Sequence, residues 1–416
     1  MNDQTLKKKA NRVLLAGILF NLTIGVLYTW SVLKTKMTAP LAGGGWEWTS
    51  RQAGQPYTFA IVFFAIGLLV GGIAQDRVGP RPVATVGGAL AGAGMILSGL
   101  MGNSVIGITI CFGIVTGIGI GLGYGCVTPP ALKWFHPGKK GMISGLIVGG
   151  FGIAAVYLAP LTTTLLSNFS ISQTFIYLGI AVAIISVLIA QLVQNPPAGY
   201  VPEERRNKNE TSAKAIPSVD YTWREMVKTK RFYLLFIMYL FSASVGLMII
   251  GNMSKIASTQ IGIADPGFLA LMVAFLAITN TAGRVIGGMM SDRIGRVNAL
   301  FVVFAMQAVN MVGFMFYRTI PALMAGIVAA GFSYGTLLSV YPSITADQYG
   351  LKNYGTNYGV LYLSWGLAGL VTPMIADVIY DASGNFNMAY VICAILLTAI
   401  IVVNCLLKAD LDSIKK

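Results

Sequence analysis

The chain has 416 residues, of which 55% are apolar, only 11% are charged and 49 are glycine, and its mean hydropathy is +0.71. Soluble globular chains carry about 25% charged residues, so this composition excludes a soluble multidomain enzyme and indicates a membrane protein. The formal net charge of +14 is compatible with either nucleic acid or anionic lipid as a partner, and the placement of the charges decides between them.

The first half of the chain consists of long uncharged stretches between short charged ones. The uncharged stretches cover residues 13–33, 52–75, 82–132 and 141–202, with 21, 24, 51 and 62 residues. Polar hinges at 102–104 and 167–170 divide the two longest. The result is six segments, each with the ~20 residues that a bilayer core requires. This pattern favours the lipid bilayer as partner and gives no indication of nucleic-acid binding.

A polar stretch over residues 195–231, with eight basic and five acidic residues, separates this half from a second set of six segments. The second set begins near Phe232, Gly267, Val297, Ile320, Asn353 and Asn387. We therefore predict an all-α membrane protein of twelve transmembrane helices. An N-terminal six-helix bundle (1–194), a cytoplasmic linker (195–231) and a C-terminal six-helix bundle (232–416) make up its predicted domains.

The distribution of Lys and Arg predicts the orientation in the membrane. The N-terminus and the even-numbered loops hold 23 of the 29 basic residues. Because short basic loops stay on the cytoplasmic side, both termini are predicted to be cytoplasmic. Short loops and the lack of appended domains favour a plasma (inner) membrane of the prokaryotic kind, and a monomer is expected.

Side chains for metal, disulfide or covalent chemistry are scarce. The four cysteines all lie in apolar runs without ligand spacing, and the single histidine, His136, lies in a polar loop. No metal site and no cofactor are expected, and catalysis lacks a nucleophile or an acid/base pair. An enzyme is therefore not predicted.

Two pairs of similar motifs indicate that the halves arose from one six-helix unit. Residues 72–81 (GIAQDRVGPR) and 288–296 (GMMSDRIGR) follow a G-x-x-x-D-R-x-G pattern at an offset of 216 positions. A G-x-x-x-G pair at 141–145 recurs at 355–359, at an offset of 214. Parallel halves of this kind, with a substrate site near the midplane, form one large class of transporters.

The paired loop motifs in a 6+6 chain resemble the major facilitator superfamily over essentially the whole sequence. Within it, several stretches resemble the oxalate/formate antiporters and related monocarboxylate transporters: residues 25–31 (GVLYTWS), 124–125 (YG), 133–137 (KWFHP), 283–284 (GR) and 353–355 (NYG). The resemblance implies a secondary active transporter that moves a small carboxylate by alternating access. A receptor that does not transport is the remaining alternative, and no soluble signalling domain in the chain supports it.

Arg284 is the main candidate for substrate binding. It precedes Asp292 by eight residues, which places it ~12 Å from the cytoplasmic loop along a helix, well inside a core ~30 Å thick. A guanidinium there costs about 2.5–3.5 kcal/mol to insert, and such residues mark substrate or ion paths. A purely structural role, capping carbonyl groups or pairing with a buried acid, is the competing interpretation. The 15 acidic residues all fall in loops or at segment ends, Asp377 being the deepest, which favours a substrate anion. In the related transporters the matching arginine binds the substrate carboxylate.

Polar and aromatic residues on the predicted spans are further candidates for substrate binding. Asn280 lies one helical turn before Arg284 on the same face, and tyrosine hydroxyls donate to a carboxylate without adding charge. Packing or an interfacial position is the alternative for each aromatic residue. The candidate substrate-binding residues are Arg284, Asn280, Tyr124, Tyr28, Tyr334, Tyr362 and Trp365.

Two departures from the related families bear on substrate and coupling. Trp365 stands where oxalate carriers have a lysine, so one buried cation remains, which favours a monoanion such as lactate, pyruvate or formate over oxalate. Asn280 stands where animal monocarboxylate carriers have an acid, so the proton-carrying group is not identified. Proton symport, which the resemblance implies, and exchange of one anion for another, which the charge argument favours, both remain open.

The repeated loop motifs are predicted to control the transport cycle. Their charged residues lie at cytoplasmic helix ends, where they are expected to hold one conformation closed. The alternative is that these charges only fix the topology. The candidate gating residues are Asp76, Arg77, Arg81, Asp292 and Arg293, together with Arg296.

Overall fold

The computed structural model describes residues 3–197, 199–201, 220–263 and 265–415. Most of the predicted linker, residues 202–219, lies outside the described residues. Within the described ranges the chain forms helices, turns and bends but no strand.

Twelve helices of 19 residues or more occur in these ranges. They are α1 (Gln4–Thr38), α2 (Ser50–Val78), α3 (Pro80–Leu100), α4 (Val105–Trp134), α5 (Lys140–Asn168), α6 (Ile171–Ala190), α7 (Lys230–Ile261), α8 (Pro266–Ile294), α9 (Arg296–Phe314), α10 (Ile320–Tyr349), α11 (Tyr354–Ser383) and α12 (Asn387–Lys415). Eleven are long and apolar enough to cross a bilayer, and α11 has 30 residues. The predicted twelve-helix membrane fold is confirmed, and the helices of the second half begin within two residues of their predicted starts.

Local irregularities interrupt two of the spans. In α1, a 3₁₀ turn over Val26–Thr29 separates two α-helical parts, and in α4 the residues Thr109–Thr116 form a π-helix. Wide π turns and tight 3₁₀ turns both mark places where a helix bends or changes register. Tyr28, one of the candidate substrate-binding residues, lies in the 3₁₀ turn.

Side-chain caps explain why the polar hinges end one helix and start the next. The Ser104 hydroxyl accepts a hydrogen bond from the main-chain N–H of Gly107 at the start of α4. Ser170 and Gln173 form a reciprocal capping box at the start of α6. Such caps satisfy N–H groups that have no partner within the helix.

One glycine in each repeated loop motif makes a tight turn between two spans. Gly79 alone separates α2 from α3 with φ +86°, and Gly295 alone separates α8 from α9 with φ +90°. Residues with a Cβ rarely adopt these conformations, so both copies of the motif require glycine at this position.

The helices group into two compact units. Unit 1 consists of residues 1–137, 150–221 and 349–366, and unit 2 of residues 138–149, 222–348 and 367–416. The start of α5 therefore belongs to unit 2 and the start of α11 to unit 1.

Close helix contacts in both units depend on small residues. In unit 1, a Cβ at Gly71 on α2 would lie 2.8 Å from the Cα of Leu122 on α4. In unit 2, a Cβ at Gly283 on α8 would collide with the carbonyl oxygen of Phe332 on α10. Small residues let helix backbones touch, which is a common basis of packing between membrane helices.

Candidate functional site

Arg284 is buried in unit 2, where it lies on α8 with 2% of its surface exposed. Its Nε–H donates a hydrogen bond to the Oδ1 of Asn280, one turn earlier on α8, over 3.1 Å. Its Nη1 donates to the main-chain carbonyl of Val148 on α5 over 2.6 Å. Arg284 therefore does cap a main-chain carbonyl group, as the structural interpretation expected, and this carbonyl belongs to another helix. The side chain of Asp377 lies outside the described part of the structure.

Glycine residues bring two helices against α8 near Arg284. A Cβ at Gly145 on α5 would collide with the carbonyl oxygen of Arg284, and a Cβ at Gly335 on α10 would collide with that of Asn280. Because the α5 backbone lies this close, the Val148 carbonyl comes within reach of the guanidinium. A main-chain acceptor has no side-chain signature, so the role of Val148 was not predictable from residue types.

Tyr334 lies in the same unit, on α10, and is buried against α7. A Cβ at Gly246 on α7 would collide with its ring. The ring borders a small cavity of about 10 Å³ that is also lined by Ser242, Gln307 and Ser333. Unit 2 therefore contains three of the candidate substrate-binding residues, Arg284, Asn280 and Tyr334.

The other four candidates meet in an aromatic cluster in unit 1. This cluster consists of Tyr28, Phe64, Tyr124, Phe151, Tyr362 and Trp365. Phe64 lies at its centre, with ring centroids 5.3 Å from Tyr124, 5.7 Å from Tyr362 and 5.5 Å from Trp365. Edge-to-face arrangements such as the one between Phe64 and Tyr124 are favourable for aromatic pairs.

Phe64 and Phe151 were not among the sequence-based candidates. Phe151 contacts both Tyr28 and Tyr124, with ring centroids 5.7 Å and 5.3 Å apart. A phenylalanine in an apolar run carries no signal that separates a site residue from a packing residue. All members of the cluster except Tyr28 are buried, so in the structure described here their rings pack against one another.

Asp76 and Asp292 each bind the start of another helix. The Asp76 carboxylate accepts hydrogen bonds from the N–H groups of Gly355 (3.2 Å) and Thr356 (2.8 Å) in the first turn of α11. It also accepts one from the Thr356 hydroxyl. Asp292 accepts from the N–H groups of residues 141 and 142 in the first turn of α5, both over 2.8 Å. A carboxylate at a helix N-terminus satisfies unpaired N–H groups and interacts favourably with the helix dipole.

Asp292 and three other charged residues of unit 2 form an ion-pair cluster. Arg296 pairs with Asp292 and, over 2.9 Å, with Asp347 at the end of α10. Lys140 at the start of α5 pairs with the other oxygen of Asp347 over 2.8 Å. We define the ion-pair cluster as Lys140, Asp292, Arg296 and Asp347. Lys140 and Asp347 were not predicted as gating residues, because in sequence they look like ordinary loop charges.

The remaining candidate gating residues lie on the surface. Arg77, Arg81 and Arg293 are all exposed. Their positions are compatible with a role in topology as well as with gating. Among the described residues, no group of three or more His, Cys, Asp or Glu side chains is arranged to hold a metal ion.

Comparison with known sequences identifies similar proteins over almost the whole chain. The sequence profile described as Major Facilitator Superfamily matches residues 13–320 and 264–413. The chain is 27% identical to the uncharacterized MFS-type transporter YhjX of Escherichia coli (86% of this chain, 85% of the relative). It is 27% identical to the oxalate:formate antiporter of Oxalobacter formigenes (92% and 87%) and 23% identical to mouse monocarboxylate transporter 12 (78% and 71%).

Solved structures show the same fold at low sequence identity. The crystal structure of FucP, a Major Facilitator Superfamily transporter in the outward conformation, superposes with a TM-score of 0.68 at 13% identity. The match covers 95% of this chain and 99% of FucP. At this identity the likeness supports the fold alone.

Proposed function

Because the chain belongs to the Major Facilitator Superfamily, a family of multi-pass membrane transporters, we propose that it carries small monocarboxylates of the lactate or pyruvate type by alternating access. The family predicted from the paired loop motifs is confirmed, and its relatives are transporters and not enzymes. In this proposal the protein lies in the plasma membrane as a monomer with both termini in the cytoplasm. In alternating access, the substrate site opens in turn to the two sides of the membrane.

The guanidinium of Arg284 is the observation that carries the proposal. It is buried within a membrane-spanning helix and is oriented by Asn280 and by the Val148 carbonyl. A planar guanidinium binds a carboxylate through two parallel N–H donors, which makes arginine well suited to this class of anion. Two relatives, whose names specify oxalate and formate or monocarboxylates, support a carboxylate as the substrate.

The charge of the site favours a monoanion. The resemblance to oxalate carriers places Trp365 where those carriers have a lysine, and its ring packs against Tyr362 with ring centroids 4.9 Å apart. Arg284 is then the one cation among the candidate substrate-binding residues, and a second substrate carboxylate without a counter-ion is costly to desolvate. We therefore expect weaker recognition of oxalate.

Proton coupling is the mode of transport that we propose, with exchange of anions as the alternative. The first mode is what the resemblance to monocarboxylate transporters implies, and the 27% identity with the oxalate:formate antiporter over 92% of the chain supports the second. Cotransport of one proton with one monoanion moves no net charge, so a pH gradient alone would drive it.

Flux into proteoliposomes tests the function directly. Purified protein should take up labelled pyruvate or lactate, and Arg284→Gln should reduce this uptake at least about tenfold at low substrate concentration. Arg318→Gln, which removes an exposed arginine from an outer loop, should leave it unchanged. Absence of carboxylate flux in the wild type, or full flux in Arg284→Gln, would refute the proposal.

The same vesicles separate the two modes of coupling. Under proton symport, an inward pH gradient drives uptake into vesicles that contain no substrate. Under obligatory exchange, uptake requires a carboxylate inside the vesicle and does not respond to the pH gradient. Each result excludes the other mode.

A further inference from the structure

A chain of polar side chains runs through unit 2 between α9 and α10. The hydroxyl of Tyr317, just beyond α9, donates a hydrogen bond to the Oδ1 of Asn310 over 3.2 Å. The Nδ2 of Asn310 donates to the main-chain carbonyl of Gly326 on α10 over 3.0 Å and to the Oε1 of Gln307 over 3.2 Å. Asn310 and Gln307 are 3% and 4% exposed, so this part of the chain lies inside the helix bundle.

These hydrogen bonds fix the orientation of the Gln307 amide. A carbonyl oxygen only accepts hydrogen bonds, so the atom of Asn310 that faces Gly326 is its nitrogen. The same nitrogen faces Gln307, so Gln307 presents its amide oxygen to it. The Nε2 of Gln307 is then the other end of the amide, and it is buried without a hydrogen-bond partner among the described residues. Because a buried donor without an acceptor is destabilising, an acceptor is expected close to this nitrogen.

Gln307 borders the small cavity of about 10 Å³ that lies between α7, α9, α10 and α12. The residues that line this cavity are all buried. One water molecule needs about 10–15 Å³, whereas pockets for organic ligands have about 300–1,000 Å³. The volume of the cavity therefore matches a single water molecule.

Two serine hydroxyls line the same cavity, Ser242 on α7 and Ser333 on α10. Ser242 donates a hydrogen bond to the main-chain carbonyl of Tyr239, and Ser333 donates to that of Val303. Each hydroxyl oxygen still has lone pairs with which it can accept a hydrogen bond. The cavity thus combines one unpaired donor, the Nε2 of Gln307, with two possible acceptors.

We propose that this cavity is a binding site for one buried water molecule, which accepts a hydrogen bond from the Nε2 of Gln307 and donates to the hydroxyl oxygens of Ser242 and Ser333. The water then makes three hydrogen bonds, the usual number for a buried water in a protein. An ion does not fit this site. The unpaired group is a donor, which repels a cation, and no charged residue is among the described residues of the lining to balance an anion.

The water connects three helices of unit 2. It joins Ser242 on α7 to Gln307 on α9 and Ser333 on α10, and Asn310 continues the chain to Tyr317. The ring of Tyr334 borders the same cavity, where it packs against Gly246 on α7. The water therefore belongs to the packing around one of the candidate substrate-binding residues. This inference does not depend on which molecule the protein transports.

A cryo-EM map of the purified wild-type protein in nanodiscs, at a resolution that shows ordered water, tests the site directly. Density for one water molecule should lie about 2.7–3.2 Å from the Nε2 of Gln307 and at hydrogen-bonding distance from both serine hydroxyls. A cavity without such density, or a Gln307 amide that donates to another protein group, would overturn the inference.

The melting temperature in detergent provides a second test, with Ser339→Ala as the matched control for Ser333→Ala. Ser339 is a buried serine on the same helix whose hydroxyl donates to the Thr336 carbonyl over 3.0 Å, and it does not line the cavity. If the water is bound, Ser333→Ala removes one of its acceptors and should lower the melting temperature by about 2–4 °C more than Ser339→Ala does. In a dry cavity, Ser333→Ala loses only a long hydrogen bond of 3.4 Å to Val303. A fall no larger than in Ser339→Ala would therefore contradict the inference.

A double variant separates the water from other effects of these substitutions. Gln307→Met removes the donor that holds the water, and it also costs Asn310 an acceptor whether or not the water is present. In the Gln307→Met background the water is lost, so Ser333→Ala should lower the melting temperature no more than Ser339→Ala does. Effects of Gln307→Met and Ser333→Ala that simply add would overturn the inference. None of these measurements involves carboxylate flux, so their failure would leave the proposed function intact, and absence of flux would leave the water site intact.

Discussion

Asp76 and Asp292 occupy equivalent positions 216 residues apart, and the carboxylate of each binds two successive main-chain N–H groups at the start of another helix. Asp76 at the end of α2 binds the start of α11, and Asp292 at the end of α8 binds the start of α5. The aspartate motif in each half of the sequence therefore contacts the G-x-x-x-G motif in the other half. Asp76 of the first half binds residues 355 and 356, and Asp292 of the second half binds residues 141 and 142.

The first prediction concerns these two carboxylates. Asp76→Asn and Asp292→Asn each remove a charge from a helix N-terminus and one of the two acceptor oxygens. We expect each variant to destabilise the conformation described here by about 1–2 kcal/mol relative to the other conformation of the transport cycle. The ratio of the two conformations then changes by about 5–30-fold. The accessibility of reporter cysteines on the two sides of the membrane measures this ratio. The reporters are placed in a Cys405→Ser background, because Cys405 is exposed whereas Cys111, Cys126 and Cys393 are buried.

Substrate affinity should be unchanged in both variants, since neither carboxylate is proposed to contact substrate. Arg77→Gln is the control, because Arg77 is adjacent to Asp76 but exposed. Accessibility identical to that of the wild type in Asp76→Asn would show that the motif does not control the cycle.

The second prediction concerns the ion-pair cluster. Asp347 joins Lys140 on α5 to Arg296 after α8, and its side chain is 30% exposed. Because solvent screens such pairs, Asp347→Asn should shift the conformational ratio less than Asp292→Asn does, and the shift should shrink at high salt. The same reporter cysteines, read at low and high ionic strength, measure it. A larger shift than in Asp292→Asn would contradict this ranking.

The third prediction concerns stability at the tight turns. Gly79→Ala and Gly295→Ala place a Cβ at φ +86° and +90°, which costs about 1–3 kcal/mol. Both should lower the melting temperature in detergent. Gly54→Ala, within α2 where a Cβ would meet nothing within 4 Å, should be neutral or stabilising. Equal melting temperatures for all three would contradict the turn argument.

The twelve helices were predictable from the sequence because charged and polar residues lie between them. Arg81, Lys133 and Lys140 mark the ends of long uncharged stretches, and Ser104 and Ser170 cap helices in the polar hinges. The repeats were also visible as residue spacings. The contacts between a motif of one half and a helix of the other were not predictable. The N–H groups of residues 355 and 356 that bind Asp76 are main-chain donors, which every residue except proline has.

The candidate site was predictable only in part, for similar reasons. Arg284 stood out as a charge in an apolar run, and Asn280 followed from helix geometry. Val148 acts through its carbonyl, and Phe64 resembles every other apolar residue in its span. Which tyrosines come together depends on tertiary packing, which periodicity does not specify.

The fourth prediction concerns the hydroxyl of Tyr124. The ring packs against Phe64 and Phe151 at centroid distances of 5.3 Å, so Tyr124→Phe retains the packing and removes only the donor. Loss of one hydrogen bond to a carboxylate should raise the KM for pyruvate by about 10–150-fold, with little change in melting temperature. Tyr177→Phe, which removes an exposed hydroxyl, is the control. An unchanged KM in Tyr124→Phe would remove Tyr124 from the site.

The fifth prediction addresses the central claim, that Arg284 binds the carboxylate of a monoanion. Titration calorimetry of the purified protein with pyruvate, lactate and oxalate measures it most directly. Asp381→Asn serves as a charge control, because Asp381 is an exposed acidic residue on α11. We expect saturable binding that is tighter for pyruvate or lactate than for oxalate and about 10–150-fold weaker in Arg284→Gln, with affinity preserved in Asp381→Asn. Tighter binding of oxalate, or an affinity that Arg284→Gln leaves intact, would contradict the account.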